Sequence, residues 1–198
     1  MTHAIYQKDD RSKRYQQWNP ADNLGWQYPR KVAYIHRHPL LNQQCLYHWN
    51  HQKEQPEPAK SQRMRFQLED IYAERRGEFN SKKLILDLDL GLDGKLRLIS
   101  GLCTIFSKSI LASFCTLSPE LLIATVELRV RPGTSQGVVM PSIFVEHEWV
   151  DGRPLKKDDK GQPVPASALL SEGQMLLRDG LNVELLPHEL RSARLNNA

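Results

Sequence analysis

No stretch of this 198-residue chain approaches the roughly 20 consecutive apolar residues needed to cross a bilayer, so no membrane span is expected. The opening MTHAIYQKDDRSKRYQQW lacks the apolar core of a signal peptide, which makes the cytoplasm the expected compartment. Cysteine is scarce and odd in number: Cys45, Cys103 and Cys115. Cys103 and Cys115 fall in an apolar helical pattern, where a thiol packs as a small hydrophobe, so no disulfide is expected. There is no glycine loop of the kind that cradles phosphates, no serine or cysteine nucleophile motif and no dinucleotide fingerprint. His147 and His188 stand alone. A non-enzymatic protein without a cofactor is the expectation.

What is present is unevenly placed. Residues 1–60 hold 9 Lys/Arg against 5 Asp/Glu, whereas residues 61–198 hold 18 of each, so the net charge of +4 lies entirely in the first third. Eight of the fifteen aromatic residues and five of the seven histidines lie there too. A basic segment with stackable rings suits a polyanion, although such residues also pack against neighbouring domains.

Residues 1–30 are polar and broken by Asn19-Pro20, Gly25 and Pro29, with too few aliphatics for a core. They read as an arm. Residues 31–50 can pack as a short strand and a following turn or helix, and HQKEQPEPAK at 51–60 reads as a charged, proline-containing linker. From residue 62 the period becomes two: Met64, Phe66 and Leu68 alternate with Arg63, Arg65 and Gln67, as in a half-buried strand. A polar turn, ERRGEFNSKK, precedes a second strand with Leu84, Leu86, Leu88, Leu90 and Leu92 on one face. Asp93-Gly94 signals a hairpin into a third strand, Lys95–Ile99. The spacing of Phe106, Ile110, Phe114 and Leu117 then predicts a helix, capped by Thr104 and ended by Ser118-Pro119. Thr125–Arg131 alternates again, Pro132-Gly133 turns, and Val138–Trp149 is a further strand closed by Asp151-Gly152. The tail after Pro165 has helical spacing interrupted by Gly173, Gly180 and Pro187, which predicts two short helices.

Three strands, a helix and two strands is the order of an OB-fold, a partly open five-stranded barrel that binds single strands. The segments RMRFQLEDIYAERRGEFNSKKLILDLDL, GKLRLISG, TIFSKSILASFCTLSP, IATVELRVRPG and IFVEHEWVDG resemble the phage and plasmid type of OB-fold single-stranded DNA-binding protein over about residues 62–153. The resemblance rests on element order and hydrophobic rhythm. It implies a mainly β chain with helical additions: a basic, aromatic-rich extension (1–60), an OB-like barrel (61–153), and a linker with a C-terminal helical appendage (154–198). Bacterial members of the wider group end in an acidic tail that recruits replication proteins. The residues RSARLNNA are basic, so recruitment of that kind is not expected.

Such a protein would lay phosphates along Arg and Lys and stack bases on exposed rings. The candidates are Arg63, Arg65, Arg75, Arg76, Lys82, Lys83, Lys95, Arg97, Arg129 and Arg131 for the backbone, with Tyr72, Phe79 and Trp149 for bases. The competing reading of the alternating arginines is the solvated face of a sheet. A second constellation, His36, His38, Cys45, His48 and His51, has zinc-ligand residue types, but its spacing differs from that of a zinc finger, and no metal is expected. Asp87 and Asp89 with Glu127 or Glu146 are the carboxylates a metal-dependent nuclease would use, yet the two aspartates alternate with leucine on one strand, before a hairpin Asp-Gly, and read as a solvated face. The expected partner is single-stranded DNA, with RNA possible. The alternative is an adaptor that assembles with itself or another protein through residues 1–60 and 164–198.

Overall fold

A computed structural model describes residues 31–76, 80–151, 158 and 160–184. The chain is mainly β with a few helices. Among the described residues nine strands form one open, mixed sheet: β1 (Lys31–Ile35), β2 (Leu46–Asn50), β3 (Gln55–Pro58), β4 (Arg63–Arg76), β5 (Ser81–Asp89), β6 (Lys95–Gly101), β7 (Val126–Pro132), β8 (Val139–Val145) and β9 (Glu148–Val150). Their spatial order is β3-β2-β1-β6-β5-β4-β7-β8-β9. Among the described residues the α-helices are α1 (Ile105–Phe114), α2 (Pro119–Leu122) and α3 (Ala166–Glu184), with short 3-10 helices at Pro39–Leu41 and Gly91–Asp93.

The expected five-stranded barrel is therefore replaced by an open sheet. The reason lies at the outer edge of β6, which pairs in parallel with β1 through Lys31↔Leu96 to Tyr34↔Ile99. That edge is satisfied by the segment before residue 60, and β2 and β3 extend it further. Residues 55–58, expected within a linker, form β3. Pro56 and Pro58 are tolerated because β3 is an edge strand, where a missing N–H costs no ladder bond. Gln62 fastens β2 to the body: its Oε1 accepts from the backbone N–H groups of Cys45 (2.8 Å) and Leu46 (2.9 Å).

The 14-residue strand β4 is the hinge of the architecture. Its first half pairs with β7 from Arg63↔Arg129 to Phe66↔Val126, and its remainder with β5 from Gln67↔Asp89 to Arg76↔Ser81. A bulge between Leu68 and Asp70 shifts the side-chain parity. The core-facing residues are thus Phe66 and Leu68 before it and Ile71 after it, all at most 2% exposed. That shift hid the second half of β4 from a strict period-two reading, which ended the strand at Leu68.

One face of the sheet carries the main core. Leu84, Leu86, Leu88, Leu98, Val126, Leu128 and Ile143 pack with Phe106, Ile110 and Phe114 of α1. Thr104 caps α1, its hydroxyl accepting from the N–H of Ser107, and Ser118 does the same for α2, with Pro119 in its first turn. Ser118-Pro119 thus opens a second helix. Cys103 lies exposed in the turn before α1 instead of in its apolar pattern, and Cys115 is half-buried with its thiol on the carbonyl of Leu169. Among the described residues none of the three cysteines is joined in a disulfide.

The two expected C-terminal helices are, over the described residues, one helix of 19 residues. Gly180 does not break it, because glycine is what lets α3 approach α2: a Cβ there would sit 2.4 Å from the carbonyl oxygen of Pro119. Pro187 and the residues after it, the expected arm 1–30 and most of the segment 152–159 lie outside the described residues. Among the described residues no helix is long and apolar enough to cross a membrane.

Candidate nucleic-acid interface

The face of the sheet opposite α1 divides at the β4 bulge into two wings. In the short wing, β4-β7-β8-β9, strand alternation sends Val126, Leu128 and Val130 into the core and Glu127, Arg129 and Arg131 outward. The register sets Arg65 opposite Glu127 and Arg63 directly opposite Arg129. Across β8, Glu127 faces Phe144, and Phe144 in turn faces Trp149 of β9. Arg63, Arg65, Arg129, Arg131 and Trp149, five of the sequence candidates, therefore share one surface.

Glu127 organises it. It is only 8% exposed, and it accepts hydrogen bonds from Arg129 Nε (2.7 Å) and Arg65 Nε (2.9 Å). The Arg129 hydrogen bond, followed by that of Arg65, holds the Glu127 carboxyl below the usual carboxylate range. The two arginine side chains remain 51% and 63% exposed, so one buried carboxylate aligns two guanidinium groups whose outer nitrogens face solvent. The Arg129 guanidinium lies 4.1 Å from the centre of the Phe144 ring, a close cation–π stack. Arg63 and Arg131 make no ion pair among the described residues. Two arginines directly opposite each other in a ladder repel, which ordinarily costs stability unless an anion lies between them.

The long wing, β4-β5-β6-β1-β2-β3, handles its cations differently. Arg97 donates from Nε to Asp87 Oδ1 (2.8 Å) and from Nη2 to Asp87 Oδ2 (2.9 Å), a bidentate pair with a carboxylate that is 2% exposed. The same guanidinium sits 5.8 Å from the Tyr72 ring. Burial, reinforced by the negative charge of Asp87, pushes the Tyr72 phenol up. Lys95 is paired with Glu69 and lies 3.9 Å from Asp89. Arg76 donates to Glu74 at 2.8 Å. Asp87, read from sequence as part of a solvated face, is thus a buried ion-pair partner. Strand β5 is apolar on both sides there, with Ile85 fully buried and Ile99 6% exposed on the same outer face.

The remaining candidates scatter. Arg75 and Lys82 are paired across the ladder on the face that carries α3, away from the arginines of the short wing. Lys83 lies on the outer face opposite Glu74, near His36. Phe79 lies outside the described residues. Sequence reasoning passed over Phe144 as a site residue and Glu127 as an organiser. Phe144's place beside Arg129 was available only from the β7–β8 register.

The histidine and cysteine cluster does not converge. Among the described residues no three His, Cys, Asp or Glu side chains are grouped as a metal site requires. Cys45 is buried and its backbone N–H is held by Gln62, while burial raises its thiol. His38 Nδ1 accepts from the Leu40 N–H, and His48 lies 3.3 Å from Glu57. His36 is pushed below the ordinary histidine range, chiefly by burial and then by the charges of His38 and Lys83. His51 sits exposed in the β2–β3 turn. The carboxylates considered for a nuclease are likewise apart in role, Asp87 held by Arg97 and Glu127 by two arginines.

Comparison with protein-family models, curated proteins and solved structures returned no match for this chain.

Proposed function

We propose that the chain binds single-stranded nucleic acid, with DNA the expected strand and RNA the alternative, with little sequence preference, along the outer face of the short wing. Arg63, Arg65, Arg129 and Arg131 take the phosphates. Trp149, 58% exposed, and the Arg129–Phe144 stack take bases, and each stacked base contributes roughly 1–3 kcal/mol whatever its identity. Phosphate contacts position a strand without reading its sequence. The observation that carries this reading is the Arg63↔Arg129 pair: Arg63, Arg65, Arg129 and Arg131 point outward on the sheet face that carries Glu127, beside two aromatic rings. An anion laid between the arginines turns their repulsion into binding.

The element order supports the same reading. Strand β4 pairs with β5 on one side and β7 on the other, α1 lies between β6 and β7 in the chain, and β1 takes the free edge of β6, an order compatible with a strand-binding sheet face. Lys95 and Arg97, spent on carboxylates, drop out of the phosphate path, and so do Arg75 and Lys82 on the opposite face.

The test is fluorescence anisotropy of a labelled single strand and of its duplex, titrated with the full chain at about 50 and 200 mM salt. Four phosphate contacts on a single strand predict a slope of roughly −3 in log K against log salt, from about 0.7 per contact. Preference for the duplex, or no binding at low salt, would overturn the proposal and leave assembly with a protein partner as the remaining reading.

A further inference from the structure

The arginine row ends in a cleft. Where β7 begins and β8 ends, a concavity of about 440 Å³ is walled by Arg65, Glu127, Arg129, Phe144, Glu146 and His147. Ligand clefts typically measure roughly 300–1,000 Å³, and this volume falls within that range. The rim is the two-residue turn joining β8 to β9, and both of its residues adopt left-handed backbone angles, Glu146 at φ 51° and His147 at φ 71°. A hairpin of this type favours Asn, Asp or Gly at those positions. The chain instead holds a carboxylate and an imidazole there under backbone strain, a choice that concentrates at binding sites.

The chemistry inside is specific. Arg65 and Arg129 each give Nε to Glu127, and their terminal nitrogens have no protein partner among the described residues. Two oriented guanidinium forks offer more donors than one phosphodiester oxygen pair needs. They match a phosphomonoester, which carries about −1.5 to −2 charges and three acceptor oxygens. The Phe144 ring, already against Arg129, supplies the apolar wall. Glu146 of the turn also lines the cleft and adds a second carboxylate beside Glu127, so the lining disfavours more than one phosphate group there.

Resting on the single-strand reading above, we propose that this cleft captures the terminal phosphomonoester and last nucleotide of the bound strand. The protein on this account recognises an end as well as a strand. The chemistry is shared by 5′ and 3′ termini, and the experiment separates them.

Four labelled strands of one sequence, with a 5′-phosphate, a 3′-phosphate, both ends hydroxyl, or closed into a circle, are titrated with the full chain. One phosphorylated strand should bind about tenfold tighter than the hydroxyl-ended strand, the gain expected of charge-assisted hydrogen bonds to a dianion. Arg65→Gln should reduce that preference to near unity, whereas Arg131→Gln, further along the row, should weaken all four strands alike and keep it. Glu146→Gln should let the circle approach the linear strands. Equal binding of all four strands would overturn end recognition while leaving the short wing as a strand-binding surface. Failure of every strand to bind would overturn both.

Discussion

The two wings of the outer face use arginine for opposite purposes. In the long wing Arg97 is folded onto a buried carboxylate in a bidentate pair, Lys95 is matched with Glu69 and Arg76 with Glu74. In the short wing one buried carboxylate holds two arginines only by Nε and leaves their forks outward, while Arg63 and Arg131 are left unmatched among the described residues. Sequence alternation is the same in both wings. What differs is the residue across the ladder: Asp87 opposite Arg97 in one, Arg129 opposite Arg63 in the other. A basic residue on a strand becomes structural or available according to its cross-strand partner, which only the register reveals.

The largest expected effect tests the structural half of that contrast. Arg97→Ala leaves Asp87 buried without its bidentate partner and should cost about 3 kcal/mol of stability in urea unfolding. The salt dependence of strand binding should not change. Loss of binding at unchanged stability would instead place Arg97 in the interface. Next, Trp149→Ala should lower single-strand affinity by about 1–3 kcal/mol, the worth of one stacked base, with unfolding nearly unaffected because the ring is exposed.

Titration separates the wings at opposite ends of the pH scale. The Glu127 carboxyl is depressed by Arg129 and Arg65, so its contribution to stability is present above the ordinary carboxylate pKa of 4.5 and is lost as pH falls through the lower folded value. Glu127→Gln should remove that acid-side loss. The phenols of Tyr72 and Tyr47 are raised, chiefly by burial, so their contribution is intact below the ordinary value of 10.0 and is lost as pH rises through the folded values. Replacing both tyrosines by phenylalanine should remove the alkaline loss and leave the acid branch untouched. Unchanged profiles in either variant would show that the groups on the two wings are not coupled to folding. The smallest effect is expected from Arg75→Gln with Lys82→Gln, on the far face: single-strand affinity should stay within about twofold, a few tenths of a kcal/mol. A large drop would show that the strand wraps around the sheet edge.

How far this was legible in the sequence follows from the same physics. Strands β4, β5, β6 and β7 and helix α1 announced themselves through clean period-two and helical spacing, and Thr104 was readable as a cap. The second half of β4 was hidden by the Leu68–Asp70 bulge. The β8–β9 turn was hidden because Glu146 and His147 carry none of the usual turn residues, so Val138–Trp149 read as one strand. The strand at Gln55–Pro58 was masked by its prolines, and the single α3 helix by Gly180, whose role is close packing against Pro119. The open sheet was not predictable from local pattern at all, since the pairing of β1 with β6 joins segments about 60 residues apart and depends on which edge is left free. Among the site candidates, the alternation exposed Arg63, Arg65, Arg129 and Arg131 correctly as outward residues. It could not say that Arg97 and Lys95 would be neutralised or that Arg75 and Lys82 would point the other way, because cross-strand partners are long-range.

The most direct test of the central claim is the salt slope of single-strand binding by the Arg63→Gln, Arg129→Gln double variant beside the unaltered chain. Loss of two phosphate contacts should make the slope shallower by about 1.4 while the fold stays intact by circular dichroism. A slope that matches the unaltered chain would contradict the account, for it would mean that the paired arginines of the short wing touch no phosphate.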